Sequence, residues 1–66
     1  MIIQKDSNFI NAKIKNGYSD RSLANEIGVS NSTISRIEKN KPISPATAKK
    51  VCNALKVNFD DIFQIV

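Results

Sequence analysis

The segment from Ser19 to Glu38 constrains this chain more than any other part of it. Leu23, Ala24 and Ile27 recur on one face of a short helix, Gly28 interrupts that helix, and Ile34 and Ile37 form the apolar face of the next. Only Val29 separates Gly28 from Ser30, which can cap the second helix as Ser19 caps the first. Two helices joined by so short a turn must cross, each burying one face. The second then presents Asn31, Ser32, Ser35 and Arg36 on its opposite, outward side.

The flanking sequence reads as three more helices. Asp6 or Ser7 can open the first, over about residues 7–16, with Phe9, Ile10 and Ile14 as its apolar side chains and Gly17 as its left-handed stop. Ser44 caps the fourth and Pro45 occupies its first position, where a missing N–H costs nothing. Ala48, Val51, Cys52 and Leu55 follow there at i, i+3, i+4 and i+7, the most regular stripe in the chain. Asn58 caps a last helical turn that Phe59, Ile62 and Phe63 anchor, with Asp60 and Asp61 near its positive end. At the ends, residues 1–4 and 63–66 have the apolar character of short strands that can pair as a ribbon. The expectation is one all-α domain, residues 1–66, of five short helices with a terminal β-ribbon.

Composition narrows the function. A chain of 66 residues can bury only a modest core, so its stability is small or shared with a partner subunit. It has one cysteine and no histidine, which leaves no internal disulfide, no Cys/His metal spacing and no imidazole for acid–base chemistry. Its two glycines both sit at helix stops and make no phosphate-cradling loop. No enzyme, metal or cofactor is expected. Cys52 lies in the apolar stripe and reads as a small core residue. The apolar runs Met1–Ile3 and Ile65–Val66 are too short for a membrane span or signal core, so a cytoplasmic protein is expected. The net charge of +4 suits a polyanion, and Lys39, Lys41, Lys49 and Lys50 cluster after the third helix.

Taken together, Leu23-Ala24, Ile27-Gly28-Val29-Ser30, Ser32 to Glu38 and Ala54 to Val57 resemble the Cro/CI phage-repressor family of helix-turn-helix regulators, also called the xenobiotic-response-element family, over residues 7 to 63. That resemblance implies a lambda-repressor-like domain that binds double-stranded operator DNA, commonly as a homodimer, with the helix-turn-helix at about residues 20–39. In such proteins the start of the third helix enters the major groove. It implies base reading by Asn31, Ser32, Thr33 and Arg36. Arg36 can bind guanine O6 and N7 bidentately, and Asn31 can do the same at adenine N6 and N7. Ser30, Asn40, Lys41 and Arg21 are the expected phosphate contacts, with Lys49 and Lys50 as weaker ones. The resemblance also sets Glu38 against Lys13 as a structural ion pair between the first and third helices.

One residue departs from the family pattern. The first position of the second helix is often a phosphate-binding glutamine, and here it is Asp20, whose charge the DNA backbone repels. Asp20 must turn away or forfeit that contact. Phe63, Ile65 and Val66 are the expected dimer residues, because a terminal ribbon exposes apolar side chains on so small a domain. The alternative reading is a protein-interaction module or antitoxin on the same fold. No small-molecule ligand is expected in either case.

Overall fold

Seven elements form where local chemistry places them. The computed structural model describes residues 1–66, in the order β1 (Ile2–Gln4), α1 (Asn8–Lys15), α2 (Asp20–Ile27), α3 (Asn31–Glu38), α4 (Pro45–Leu55), α5 (Phe59–Ile62) and β2 (Phe63–Ile65). The capping at Ser19 is reciprocal: its hydroxyl accepts the Ser22 N–H (3.1 Å), and the Ser22 hydroxyl accepts the Ser19 N–H (2.8 Å). Ser44 caps α4 by accepting the Thr47 N–H at 3.2 Å. At α5 the bond runs the other way, with Asn58 N–H donating to the Asp61 carboxylate at 3.0 Å. Gly17 (φ 76°) and Gly28 (φ 74°) occupy the left-handed region in which helices stop. No helix is long and apolar enough to cross a membrane.

The five expected helices are present, and the expected ribbon forms between the two ends. β1 and β2 pair antiparallel with Ile2 opposite Ile65, Ile3 opposite Gln64 and Gln4 opposite Phe63. The other edge of β1 is engaged too, because Ile43 N–H donates to the Ile2 carbonyl at 3.2 Å. That bond draws the loop after α3 onto the ribbon. Beneath it, Phe9, Leu23, Ile34, Ile37, Val51, Leu55 and Phe63 are fully buried. The Phe9 and Phe63 rings lie 6.2 Å apart and tie α1 to the end of the chain. All four residues of the α4 stripe are buried, and burial pushes the Cys52 thiol up, with Asp61 adding to it.

Three expectations need correction. Ile14 is 64% exposed and Lys13 is buried in its place. At 3.6 residues per turn Lys13 lies about 40° from Phe9 around the helix, whereas Ile14 lies about 140° away, outside the packed stripe. The aliphatic stem of Lys13 does the packing. Neither Asp6 nor Ser7 caps α1 through its side chain: Ser7 holds the cap position without a side-chain bond, and Asp6 is left-handed at φ 53°. Phe63 belongs to the monomer's core and has no surface to offer a second copy, because the turn from α5 into β2 points its ring at Phe9.

Candidate nucleic-acid interface

The expected readers lie on α3, and the rest of the chain fixes where α3 stands. Leu23 and Ala24 of α2 and Ile34 and Ile37 of α3 bury the inner faces of the two helices. Between them, Gly28 reverses the chain and Val29 N–H closes on the Ala24 carbonyl at 3.0 Å. This leaves Asn31, Ser32 and Arg36 exposed on one helix, with Thr33 and Ser35 half-buried beside them.

The two ends of α3 are finished differently. Ser30 has the extended backbone of a cap residue (φ −79°, ψ 158°), but its hydroxyl does not bond a backbone N–H as expected. It meets the Thr33 hydroxyl at 3.2 Å, because the Thr33 N–H is already satisfied by the Ser30 carbonyl at 3.0 Å. At the far end Asn40 is left-handed (φ 60°). Its N–H returns to the Ile37 carbonyl (3.2 Å) and the Lys41 N–H to the Arg36 carbonyl (2.9 Å), a paired closure that satisfies two helix-end acceptors. Asn40 therefore has a backbone duty that its expected phosphate contact did not foresee, and its side chain stays exposed.

Arg36 is exposed, and one Nη donates to the Pro42 carbonyl at 3.3 Å. A guanidinium has five N–H donors, so the remaining ones are free to bind. Thr33 and Arg36 share an open groove of about 250 Å³ with Pro42, Ile43, Ser44 and Thr47. Thr47 is a groove residue that the sequence reading missed. The cap at Ser44 was visible, but not that it brings the start of α4 beside Arg36. Lys49 and Lys50 do not line this groove: Lys49 borders an apolar one with Ile2, Cys52 and Ile65, and Lys50 faces Glu26 and Ile27. Arg21 is exposed in the first turn of α2, and Lys41 is exposed after α3.

Asp20 is accounted for by Lys13. Lys13 Nζ bonds the Asp20 carboxylate and lies 2.5 Å from Glu38 Oε2, so one ammonium joins α1, α2 and α3. The Lys13 side chain is 10% exposed, Glu38 21% and Asp20 40%. Burial alone lowers the Lys13 pKa, but the bonds from Asp20 and Glu38 outweigh it and hold the group above its ordinary 10.5. The hydrogen bond from Lys13 outweighs burial at Asp20 and holds that carboxyl below its ordinary 3.8. Asp20 thus faces a cation of its own chain. The expected Lys13–Glu38 contact exists, widened to a triad whose third member had looked like an anomaly. No group of three histidine, cysteine, aspartate or glutamate side chains is placed to hold a metal ion.

Comparison with known proteins agrees with this geometry. The transcriptional regulator VanUg has the same fold at a TM-score of 0.78 and 23% identity, over 98% of this chain and 87% of that one. A structure described as a candidate DNA-binding protein from Bacteroides fragilis superposes with a TM-score of 0.75 and 26% identity, over 97% of this chain and 100% of that one. No curated protein matches the sequence. A family model described as helix-turn-helix matches residues 11–62, which span α2, the Gly28 turn and α3 together with most of the packing beneath them. The chain belongs to this helix-turn-helix family, of the Cro/CI type.

Proposed function

We propose that this protein is a sequence-specific DNA-binding regulator of transcription that acts as a repressor, two copies on a two-fold symmetric operator. The observation that carries this reading is α3 itself: Asn31, Ser32 and Arg36 stand exposed on a helix whose opposite face, Ile34 and Ile37, is fully buried. An exposed set of amide, hydroxyl and guanidinium groups on a rigidly held helix suits the edges of bases in a major groove. Ser30, Arg21, Asn40 and Lys41 are the proposed phosphate contacts. A dimer seated over a promoter excludes polymerase, and a DNA partner is in keeping with the expected cytoplasmic setting.

Selection of bound sites from random DNA tests this directly. The expected product is a palindrome whose half-sites are centred about 34–36 Å apart. If Arg21 and Lys41 of each copy neutralise one phosphate apiece, log affinity falls with log salt at a slope of about −3.6. Recovery of no preferred sequence, or a flat salt dependence, rejects the reading in favour of a protein-interaction module.

The homodimer is proposed to form along the free edge of β2. Val66 and Met1 exchange bonds, and Lys5 N–H donates to the Ile62 carbonyl. The register then turns the N–H and C=O of Ile65 outward, away from β1. A two-fold axis through Ile65 lets each copy donate that N–H to the other's carbonyl, a self-complementary pairing. Phe63 to Val66 carries no charged side chain to repel an identical strand, and Met1, Ile65 and Val66 are 68%, 75% and 59% exposed. So short an edge buries less than the roughly 1,200 Å² of a standard interface, so the free dimer is weak and DNA consolidates it. Ile65→Lys is expected to leave the monomer folded and weaken self-association at least tenfold in sedimentation equilibrium. An unchanged dimer would place the interface elsewhere.

A further inference from the structure

The core contains one polar side chain that its stability does not explain. Gln4 of β1 is 3% exposed. Its Nε2 donates to the Glu38 carbonyl at 3.0 Å, while its Oε1 is buried without a partner. A buried amide oxygen that has given up water for nothing destabilises the fold, and an apolar side chain of similar size would avoid that loss. The amide does have a direction. Glu38 is the last residue of α3, and its carbonyl is one of the acceptors that a helix end leaves open.

We propose that Gln4 is a positioning residue for DNA readout: it fixes the reading helix to the terminal ribbon and so sets sequence specificity. This rests on the DNA-binding function proposed above. The contacts beneath α3 are the non-directional packing of Ile34 and Ile37, which sets the depth of the helix but tolerates sliding and rotation. Lys13 holds the Glu38 carboxylate through a flexible side chain from α1. The closure by Asn40 and Lys41 bonds α3 to its own chain end and travels with it. Gln4 supplies the directional bond from a separate element. Its strand is itself held on both edges, by β2 and by Ile43. An eight-residue helix is a stiff rod about 12 Å long, so a displacement at Glu38 reaches Arg36 and Asn31 nearly undiminished. A bidentate base contact tolerates only a few tenths of an ångström before its hydrogen bonds weaken. Gln4 also lies opposite Phe63 in the ribbon, so the same residue sets α3 relative to the proposed dimer edge and hence the spacing of the two reading helices.

The test is Gln4→Met in the full chain, which keeps the bulk and removes both the bond and the unpartnered oxygen. Thermal unfolding is expected at about the same temperature, because relief of the unpartnered Gln4 Oε1 offsets loss of the bond to the Glu38 carbonyl. Affinity for the selected operator is expected to fall about tenfold while affinity for unrelated DNA stays the same, so the specificity ratio drops. A merely structural residue would lower both affinities with the folded fraction and leave their ratio unchanged, and that result overturns the proposal. Loss of folding in both Gln4→Met and Gln4→Leu also overturns it, because the amide would then be holding the fold. If the unaltered chain selects no sequence, the DNA-binding function falls first and this role falls with it. Selective binding by wild type and variant at one ratio rejects Gln4 alone.

Discussion

Lys13→Met is expected to lower stability by about 2–3 kcal/mol, or on the order of 10–20 °C in Tm for a domain of this size. The substitution preserves the buried stem and removes the ammonium, leaving Asp20 and Glu38 together without a cation. Breaking a fully buried pair costs about 3–5 kcal/mol, and the smaller figure here allows for the solvent that reaches the half-exposed Asp20. The pH profile separates charge from packing. In the wild type the Asp20 carboxyl is held below 3.8, so its contribution is present above that value and lost as pH falls through the lower folded pKa. Lys13 is held above 10.5, so its contribution is present below that value and lost as pH rises through the higher folded pKa. The triad therefore supports a plateau between about pH 4 and 10.5 with a fall on each side. In the variant the two carboxylates repel each other, so mild acid should relieve that repulsion and restore stability where it does not help the wild type. Chemical denaturation of both proteins between pH 3 and 8 checks the crossing trends. Parallel profiles would mean that Lys13 contributes only its stem.

Arg36→Ala is expected to weaken operator binding by on the order of 100-fold or more while leaving the fold intact. One bidentate guanidinium–guanine pair is worth about 1–3 kcal/mol, and a symmetric operator loses it twice. Arg36 is exposed, and its protein contact is a single 3.3 Å bond to the Pro42 carbonyl, so its removal disturbs little packing. The sign of readout lies in the pattern of loss. A base contact predicts that preference disappears at one symmetric pair of positions in the selected site, with the salt slope nearly unchanged. Uniform weakening on every sequence, with the slope shallower by about 0.9 per half-site, would recast Arg36 as a phosphate contact.

The helices and their ends were legible because the forces that set them act within one or two turns. Gly17 and Gly28 stop helices where a left-handed backbone is needed, Ser19 and Ser44 accept nearby N–H groups, and the α4 stripe buries all four of its members. The exposed side of α3 was legible for the same reason, since the burial of Ile34 and Ile37 dictates which residues face away. The misreading of Ile14 shows the limit of that logic. Ile14 is apolar and near helical spacing, yet Lys13 one position earlier has the better phase and is the residue that is buried. Angle around the helix outweighs polarity here. At Ser30 the cap was correctly placed, yet the hydroxyl chose the Thr33 hydroxyl as its partner.

Periodicity, caps and turn residues act over a few positions, and they suffice to place five helices, a tight turn at Gly28, strand-forming ends and an outward polar face on α3. Tertiary structure alone decided which distant groups meet. Lys13 bonds Asp20 as well as Glu38, 7 and 25 residues away, and so converts an unfavourable-looking aspartate into a brace. Gln4 reaches Glu38 across 34 residues, Phe63 turns into the core, and Thr47 comes to stand beside Arg36. None of these pairings leaves a mark on local periodicity, because each depends on the angle and distance at which packed elements pass one another. That geometry is a property of the whole core.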